Sequence, residues 1–294
     1  CHLFVGNSLV KMYGKCGSTI EAENAFEQLT HRDVVSWNAM LSAYVEKSGQ
    51  QEKAFTLFEK MLEAGPWPDD ITLVYMLRAC SGTSGSSRLC RLIHVIVLCI
   101  GFDDKRPLLA NTLLHAYGCC SSMPDAQAVF DRLTKKDVTS WNSLIAGYAQ
   151  DGNLNACLEN FERMQGASGI EPDGITFVSM FFAFSHSGFV DKGMEFFASM
   201  SKYGIALEIK HFGGIMDIFA RAGDFRSLES MLLKMPMQPD ATLWSSLLGA
   251  CQTHNNRSLA EYVFNHAVNH DASEVPAYVL MSNIYSREEV KLAL

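Results

Sequence analysis

No stretch of this 294-residue sequence stays apolar long enough to cross a bilayer. The longest apolar runs, such as residues 95–100 and 180–184, fall far short of the roughly 20 residues a spanning helix needs. Positive charge is scarce too: 24 lysines and arginines face 32 aspartates and glutamates, a formal net charge of −8. That balance excludes a strong generic pull on nucleic acid phosphates or anionic lipid, so any nucleic acid contact must lean on the bases. Proline is sparse, at 8 residues, and with 21 glycines it fits short turns better than disordered linkers. The nine cysteines lack the paired spacing of a secreted disulfide framework and fit a reducing compartment. Cys80 after Ala79 and Cys251 after Ala250 share a phase with Phe184 after Ala183, as expected of side chains packed between helices.

Catalytic patterns are missing as well. There is no Gly-rich phosphate loop, no Gly-x-Ser-x-Gly elbow, no His-Glu-x-x-His, and Cys119-Cys120 has no Cys-x-x-Cys relation. His266 and His270 stand four apart beside Asp271, but without a third ligand they read as a solvated polar face. No catalytic residue, metal ligand or cofactor is assigned. The sequence opens on Cys1, partway through a repeat, so it reads as a fragment and is silent about any targeting segment upstream.

What is present is repetition. Trp37, Trp141 and Trp244 lie 104 and 103 residues apart in related surroundings: Val-Val-Ser-Trp-Asn from Val34, Val-Thr-Ser-Trp-Asn from Val138, Ala-Thr-Leu-Trp-Ser from Ala241. Asn7 returns as Asn111 and Val74 as Val178 at the same offset. Each block divides into three parts of roughly 35 residues, within the range of helical solenoids, which bury surface chiefly against neighbouring repeats. In residues 34–69, Trp37, Met40, Leu41, Tyr44 and Val45 recur at helical spacing, Gly49 intervenes, and Ala54, Leu57, Phe58, Met61 and Leu62 resume the stripe. That pattern predicts helix, turn, helix, closed by Gly65, Pro66 and Pro68. Residues 138–173 read alike, with Gly152 at the inner turn and Gly169 and Pro172 at the close. Short repeats at 3–33 and 107–137 carry Ala25-Phe26 or Val129-Phe130, and a third type, 70–106 and 174–208, opens on Ile-Thr with valine where its neighbours have asparagine. Residues 209–240 complete the array, and 241–294 follow it.

Asn7, Asn38, Asn111 and Asn142 sit near the start of the first helix in four repeats, each of which closes on an aspartate: Asp33, Asp69, Asp137 and Asp173. Two readings of these residues stand. Asparagine and aspartate favour caps and interhelix hydrogen bonds. A solenoid would also bring each amide and carboxylate to one edge of its concave surface, where such a pair can read one base. Phe4, Val35 and Thr139, also on first helices, could stack against bases or simply pack.

The order of repeat lengths, with the phrases Ser-Trp-Asn, Met-Tyr-Gly-Lys-Cys-Gly and Met-Pro-Met-Gln-Pro-Asp, resembles the PLS subclass of plant-type pentatricopeptide repeat proteins over nearly the whole chain. His186-Ser187-Gly188, Ala220-Arg221-Ala222-Gly223 and Lys234-Met235-Pro236 resemble the end of such an array. The stretches from Trp244 to Cys251 and from Tyr278 to Tyr285 resemble the family's carboxy-terminal E-type extension, so 241–294 is expected to hold it, with its second motif truncated.

The resemblance implies an all-α fold, a right-handed α-solenoid of helix-turn-helix repeats, and sequence-specific binding of single-stranded RNA. It implies that Asn7 with Asp33, Asn38 with Asp69, Asn111 with Asp137 and Asn142 with Asp173 each favour uracil, giving a pyrimidine-rich target. Val74, Val178 and Gly213 depart from the pattern and imply weak discrimination at their nucleotides. It further implies a mitochondrial or chloroplast protein whose extension carries or recruits a cytidine deaminase for C-to-U editing. The His-x-Glu and Pro-Cys-x-x-Cys pair of a zinc deaminase does not occur in this chain. The competing reading is a tetratricopeptide-like protein-binding scaffold, favoured by the negative charge.

Overall fold

The structure, a computed structural model, describes residues 3–47, 49–81, 87–99, 106–270 and 275–292, with side chains described as far as 269 and 286 in the last two stretches. Asp271 and the His270 side chain, weighed above as metal ligands, lie outside the described residues. All elements among the described residues are helical. They fall into two compact units, Cys1–Asp151 and Gly152–Leu294.

In the first unit the helices are α1 (Leu3–Lys15), α2 (Thr19–Glu27), α3 (Val34–Val45), α4 (Gln51–Ala64), α5 (Asp70–Ser81), α6 (Ser87–Cys99), α7 (Pro107–Cys119), α8 (Met123–Arg132) and α9 (Val138–Gln150). Each odd-numbered helix packs on the next odd one, and each even helix lies against the odd helices before and after it, making two layers. The second unit holds α10 (Leu154–Gly166), α11 (Gly174–Ser187), α12 (Val190–Ser199) with a 3-10 turn at Met200–Tyr203, α13 (Ile209–Ala222), α14 (Phe225–Lys234), α15 (Ala241–His254), α16 (Arg257–His270) and α17 (Val275–Leu292). There α11, α13, α15 and α17 pack in succession, with α12, α14 and α16 alongside.

The apolar stripes bury the faces that this layering requires. In α3, Trp37, Met40, Leu41 and Tyr44 are buried, and in α4, Ala54, Leu57, Phe58 and Met61. Leu62, expected in the same stripe, is exposed: the four buried positions already fill the narrow face α4 turns toward α3 and α5. Gly65 ends α4 with φ +97°, a left-handed conformation that a side chain would strain. Cys80 and Cys251 are fully buried, as is Phe184, in keeping with small or apolar packing residues.

The paired words of neighbouring repeats have a common cause. Trp37 stands edge-on to Phe26 with centroids 5.1 Å apart, and Trp141 stands edge-on to Phe130 at 4.6 Å. A cation covers each phenylalanine, Arg32 at 4.8 Å and Lys136 at 5.2 Å. Such aromatic pairs add to area burial through ring quadrupoles, and the cation adds charge–quadrupole attraction.

The odd helices approach where side chains are minimal. A Cβ on Gly118 of α7 would stand 3.0 Å from the Gly147 Cα of α9, and one on Gly14 of α1 would stand 2.7 Å from the Ala43 Cβ of α3. Gly118→Ala is therefore expected to force α7 from α9 and to lower stability by about 1–3 kcal/mol, measured by thermal unfolding followed at 222 nm. Gly166→Ala, where an added Cβ meets nothing within 4 Å, should be neutral or stabilising. Equal melting temperatures for the two variants would refute the close-packing account.

Candidate functional site

The first turn of an odd helix leaves backbone N–H groups without partners, and the residue before it supplies an acceptor. Asp33 caps α3 by accepting from the Ser36 N–H at 2.8 Å, and Asp137 caps α9 by accepting from Ser140 at 2.7 Å. Asp69 accepts from the Thr72 N–H of α5 at 2.8 Å. In the second unit Asp173 caps α11, accepting from Ile175 at 3.0 Å and Thr176 at 2.9 Å, and Asp240 caps α15 through Leu243. The capping reading of the aspartates is thus realised.

Three of these carboxylates, Asp33, Asp69 and Asp137, also receive the asparagine amide of the preceding odd helix. Asn7 Nδ2 donates to Asp33 at 3.3 Å, Asn38 Nδ2 to Asp69 at 2.9 Å, and Asn111 Nδ2 to Asp137 at 3.3 Å. Asn142 is a residue of the first unit and Asp173 of the second, and each is described within its own unit. Asn38 and Asn142 are buried, whereas Asn7 and Asn111 are half-buried. Burial alone would raise the Asp69 pKa, but hydrogen bonds led by those from the Thr72 backbone and the Asn38 amide outweigh it and hold the carboxyl below its ordinary range. At Asp33 burial is likewise outweighed, by Ser36 and Asn7. Each amide spends one N–H on its carboxylate and keeps a second donor.

Beside each pair, the second residue of the odd helix is exposed. Phe4 is 80% exposed and Val35 60%, with Thr139 also exposed. The same position holds exposed Ile71, Leu108 and Ile175, which the sequence reading did not single out. Their signal was available as the second residue after each cap position, an apolar residue one step off the buried stripe. Val74, Val178 and Gly213 occupy the asparagine register and supply no polar side chain.

One cap is built differently. At the start of α13 the Glu208 N–H donates to His211 Nδ1 at 3.0 Å, and His211 Nε2 lies 3.2 Å from the Gly174 carbonyl oxygen. With Nδ1 accepting, Nε2 carries the proton and donates, so the ring serves as a neutral bridge between α13 and α11. Burial, the largest cause, and the nearby Lys210 charge lower its pKa. Among the described residues no group of three or more histidines, cysteines or carboxylates could hold a metal ion. His266 Nδ1 instead lies 2.8 Å from the Tyr262 carbonyl oxygen.

Two outcomes follow. Asp69→Ala removes both a cap and the Asn38 partner, and is expected to cost about 1–2 kcal/mol, measured by urea unfolding. For His211, the unfolded ring binds a proton near pH 6.5 while the folded ring resists it, so the unfolded state holds more protons in that window. This contribution to stability is full above pH about 6.5 and is lost as the pH falls toward the lowered folded value. His94, half-buried against Tyr117 in the first unit, acts in the same direction. Melting temperatures at pH 7.5 and 5.5 should therefore converge partly, not wholly, in His211→Thr; an unchanged difference would refute the bridge.

Comparison with known proteins accounts for this arrangement. The PPR repeat family model matches residues 32–82 and 136–186, and the PPR repeat model matches 7–34, 109–138 and 175–205, together more than half of the chain. A chloroplastic pentatricopeptide repeat-containing protein of Arabidopsis thaliana is 35% identical over 97% of this chain and 38% of its own length. A mitochondrial one from the same plant is 34% identical over 98% of this chain and 45% of its own length. The chain thus spans about two-fifths of the length of these relatives. Among solved structures, the maize pentatricopeptide repeat protein PPR10 superposes with a TM-score of 0.60 at 16% identity, covering 96% of this chain and 46% of that one. PPR10 in complex with an 18-nt psaJ RNA element gives 0.53 at 17% identity, covering 98% and 53%. These two share the fold, an α-solenoid of paired helices, and with the repeat matches they place the chain in the pentatricopeptide repeat family.

Proposed function

We propose that the chain reads single-stranded RNA, one base per amide–carboxylate pair. The observation that carries the reading is the recurrence of Asn7 with Asp33, Asn38 with Asp69 and Asn111 with Asp137 as bonded pairs, each beside an exposed residue at the second position of the helix. Asn142 with Asp173 extends the series by register. A peptide groove needs no such periodic donor, whereas a row of amides beside apolar side chains can both hydrogen-bond and stack bases. PPR10, which shares the fold, has been solved in complex with an RNA element.

Each pair favours uracil, with little discrimination where Val74, Val178 and Gly213 stand, so the preferred order along the array is U, U, any, U, U, any and then a weakly read base. Residues 241–294 form the E-type extension. Its last helix, α17, leaves Tyr278, Val279 and Tyr285 exposed, apolar area that a recruited deaminase could cover. The role is site recognition for organellar C-to-U editing. The chloroplastic and mitochondrial relatives support the compartment. The net charge of −8 favours one competing reading, a protein-binding scaffold for basic peptides.

Gel-shift titration with UUAUUAA and AAAAAAA RNA separates the two. Binding is expected to favour the uridine RNA by at least about tenfold, roughly one hydrogen bond's worth, and the fourfold Asn→Ala variant at 7, 38, 111 and 142 should lose the preference. With few phosphate contacts the affinity should fall only shallowly with salt. Equal affinity for both RNAs, with a folded circular dichroism spectrum and capture of a basic peptide, would transfer the function to the scaffold reading.

A further inference from the structure

The three bonded pairs are not alike. Thr72, fully buried on α5, places its Oγ1 2.7 Å from Asn38 Oδ1 and 2.8 Å from Asp69 Oδ1, and it receives the Asp69 N–H at 3.2 Å. A hydroxyl has one proton to give. The Asp69 Oδ1 already accepts from the Thr72 N–H and the Asn38 amide, both within 2.9 Å, whereas Asn38 Oδ1 has only the hydroxyl. Giving the proton to Asn38 leaves every group partnered; giving it to Asp69 leaves an amide oxygen against a hydroxyl oxygen with no hydrogen between them. Flipping the amide would set its oxygen against the carboxylate.

At the other two bonded pairs the corresponding register holds serine, and the outcome differs. Ser36 Oγ turns to Asp33 Oδ1 at 2.8 Å, and Asn7 Oδ1 is buried without a partner. Ser140 Oγ turns to the Asp137 carbonyl at 2.8 Å. Threonine's β-branch restricts its side-chain torsion, which holds the Thr72 hydroxyl within reach of both its own cap and Asn38 Oδ1.

We infer that Thr72 is a positioning residue for base reading: it locks the Asn38 carboxamide so that the one group left to meet a base is a single N–H. The inference rests on the RNA-reading proposal. A locked lone donor accepts only bases that present an acceptor at that point, and the amide cannot turn over to suit a base presenting a donor. At Asn7 and Asn111 no hydroxyl is committed to the amide oxygen, so those pairs discriminate less sharply. Thr72 thereby sets the most selective of the three bonded positions from the neighbouring repeat, outside the asparagine–aspartate pair itself.

The test uses the full chain with Thr72→Val, which keeps the shape without the hydroxyl, Thr72→Ser, and RNAs varied singly at the nucleotides read by Asn7 and by Asn38. In the parent, uracil-over-adenine selectivity should be larger at the Asn38 nucleotide. Thr72→Val should lower it there about tenfold, the effect of one hydrogen bond, while leaving the Asn7 nucleotide unchanged. Thr72→Ser should retain part of the selectivity. A uniform affinity loss in Thr72→Val, with selectivity intact, would reduce Thr72 to a cap residue and overturn the inference. A second readout needs no RNA: the Asn38 side-chain NH2 resonances, assigned by their loss in Asn38→Ala, should shift and exchange faster with solvent in Thr72→Val. Unchanged resonances would overturn the lock whatever the RNA data. Changed resonances without any base preference in the parent would leave the lock standing as geometry, overturn its part in recognition, and count against the RNA-reading proposal instead.

Discussion

The cap carboxylate at the heads of α3, α5 and α9 is the contact on which the rest depends. A helix start needs an acceptor for its free N–H groups, and Asp33, Asp69 and Asp137 supply one. The same oxygens take the amide of the preceding odd helix, so one charged group joins two successive repeats. A cap of this kind contributes about 1 kcal/mol by itself. Its larger effect is geometric, since it fixes the distance and rotation between consecutive odd helices at the end where the asparagines stand.

Spacing at the opposite end of those helices is set by what is missing. Gly118 against Gly147 and Gly14 against Ala43 let backbones approach where any larger side chain would hold them apart. At the capped end, the tryptophans of α3 and α9 meet phenylalanines on the even helices α2 and α8 of the preceding short repeats. A charged link at one end and a close backbone contact at the other leave a pair of odd helices little freedom to slide, and the aromatic contact ties the second of each pair to the intervening even helix. That rigidity is what a periodic ligand would require, because errors in repeat pitch accumulate along a strand.

Most of this was legible in the sequence. The helical periodicity around Trp37 and the glycine and proline punctuation after Leu62 define helix, turn, helix without any structure, since both follow from local chemistry. The aspartates were legible as caps for the same reason. Three things were not. Leu62 reads as part of a buried stripe and lies outside it, because periodicity names a face but not its width. The hydroxyls of Thr72 and Ser36 occupy the same register and make different bonds, a difference that depends on a side-chain torsion and on a partner in another repeat. His211, which replaces the usual hydroxyl at the start of α13, was equally invisible, since its role appears only when Gly174 is brought beside it.

The overlap between cap and reader explains why sequence alone leaves the asparagine–aspartate pairs open to two meanings. A fold that needs an N-cap selects aspartate whether or not a base is ever bound, so the recurrence of the aspartates has no bearing on recognition. The asparagines are different. Val74, Val178 and Gly213 hold the same register in repeats whose odd helices also pack on their neighbours, so that packing does not require an amide there. An asparagine kept nearly buried at Asn38 and Asn142, among helices that manage without one, places a polar group where packing would favour an apolar one. At Asn38 the hydrogen bond to the cap offsets that cost, but it does not explain why the position is polar in four repeats and apolar or absent in three others. A ligand read base by base would explain both the amides and their omission, and it is this alternation, more than the pairs themselves, that argues for recognition.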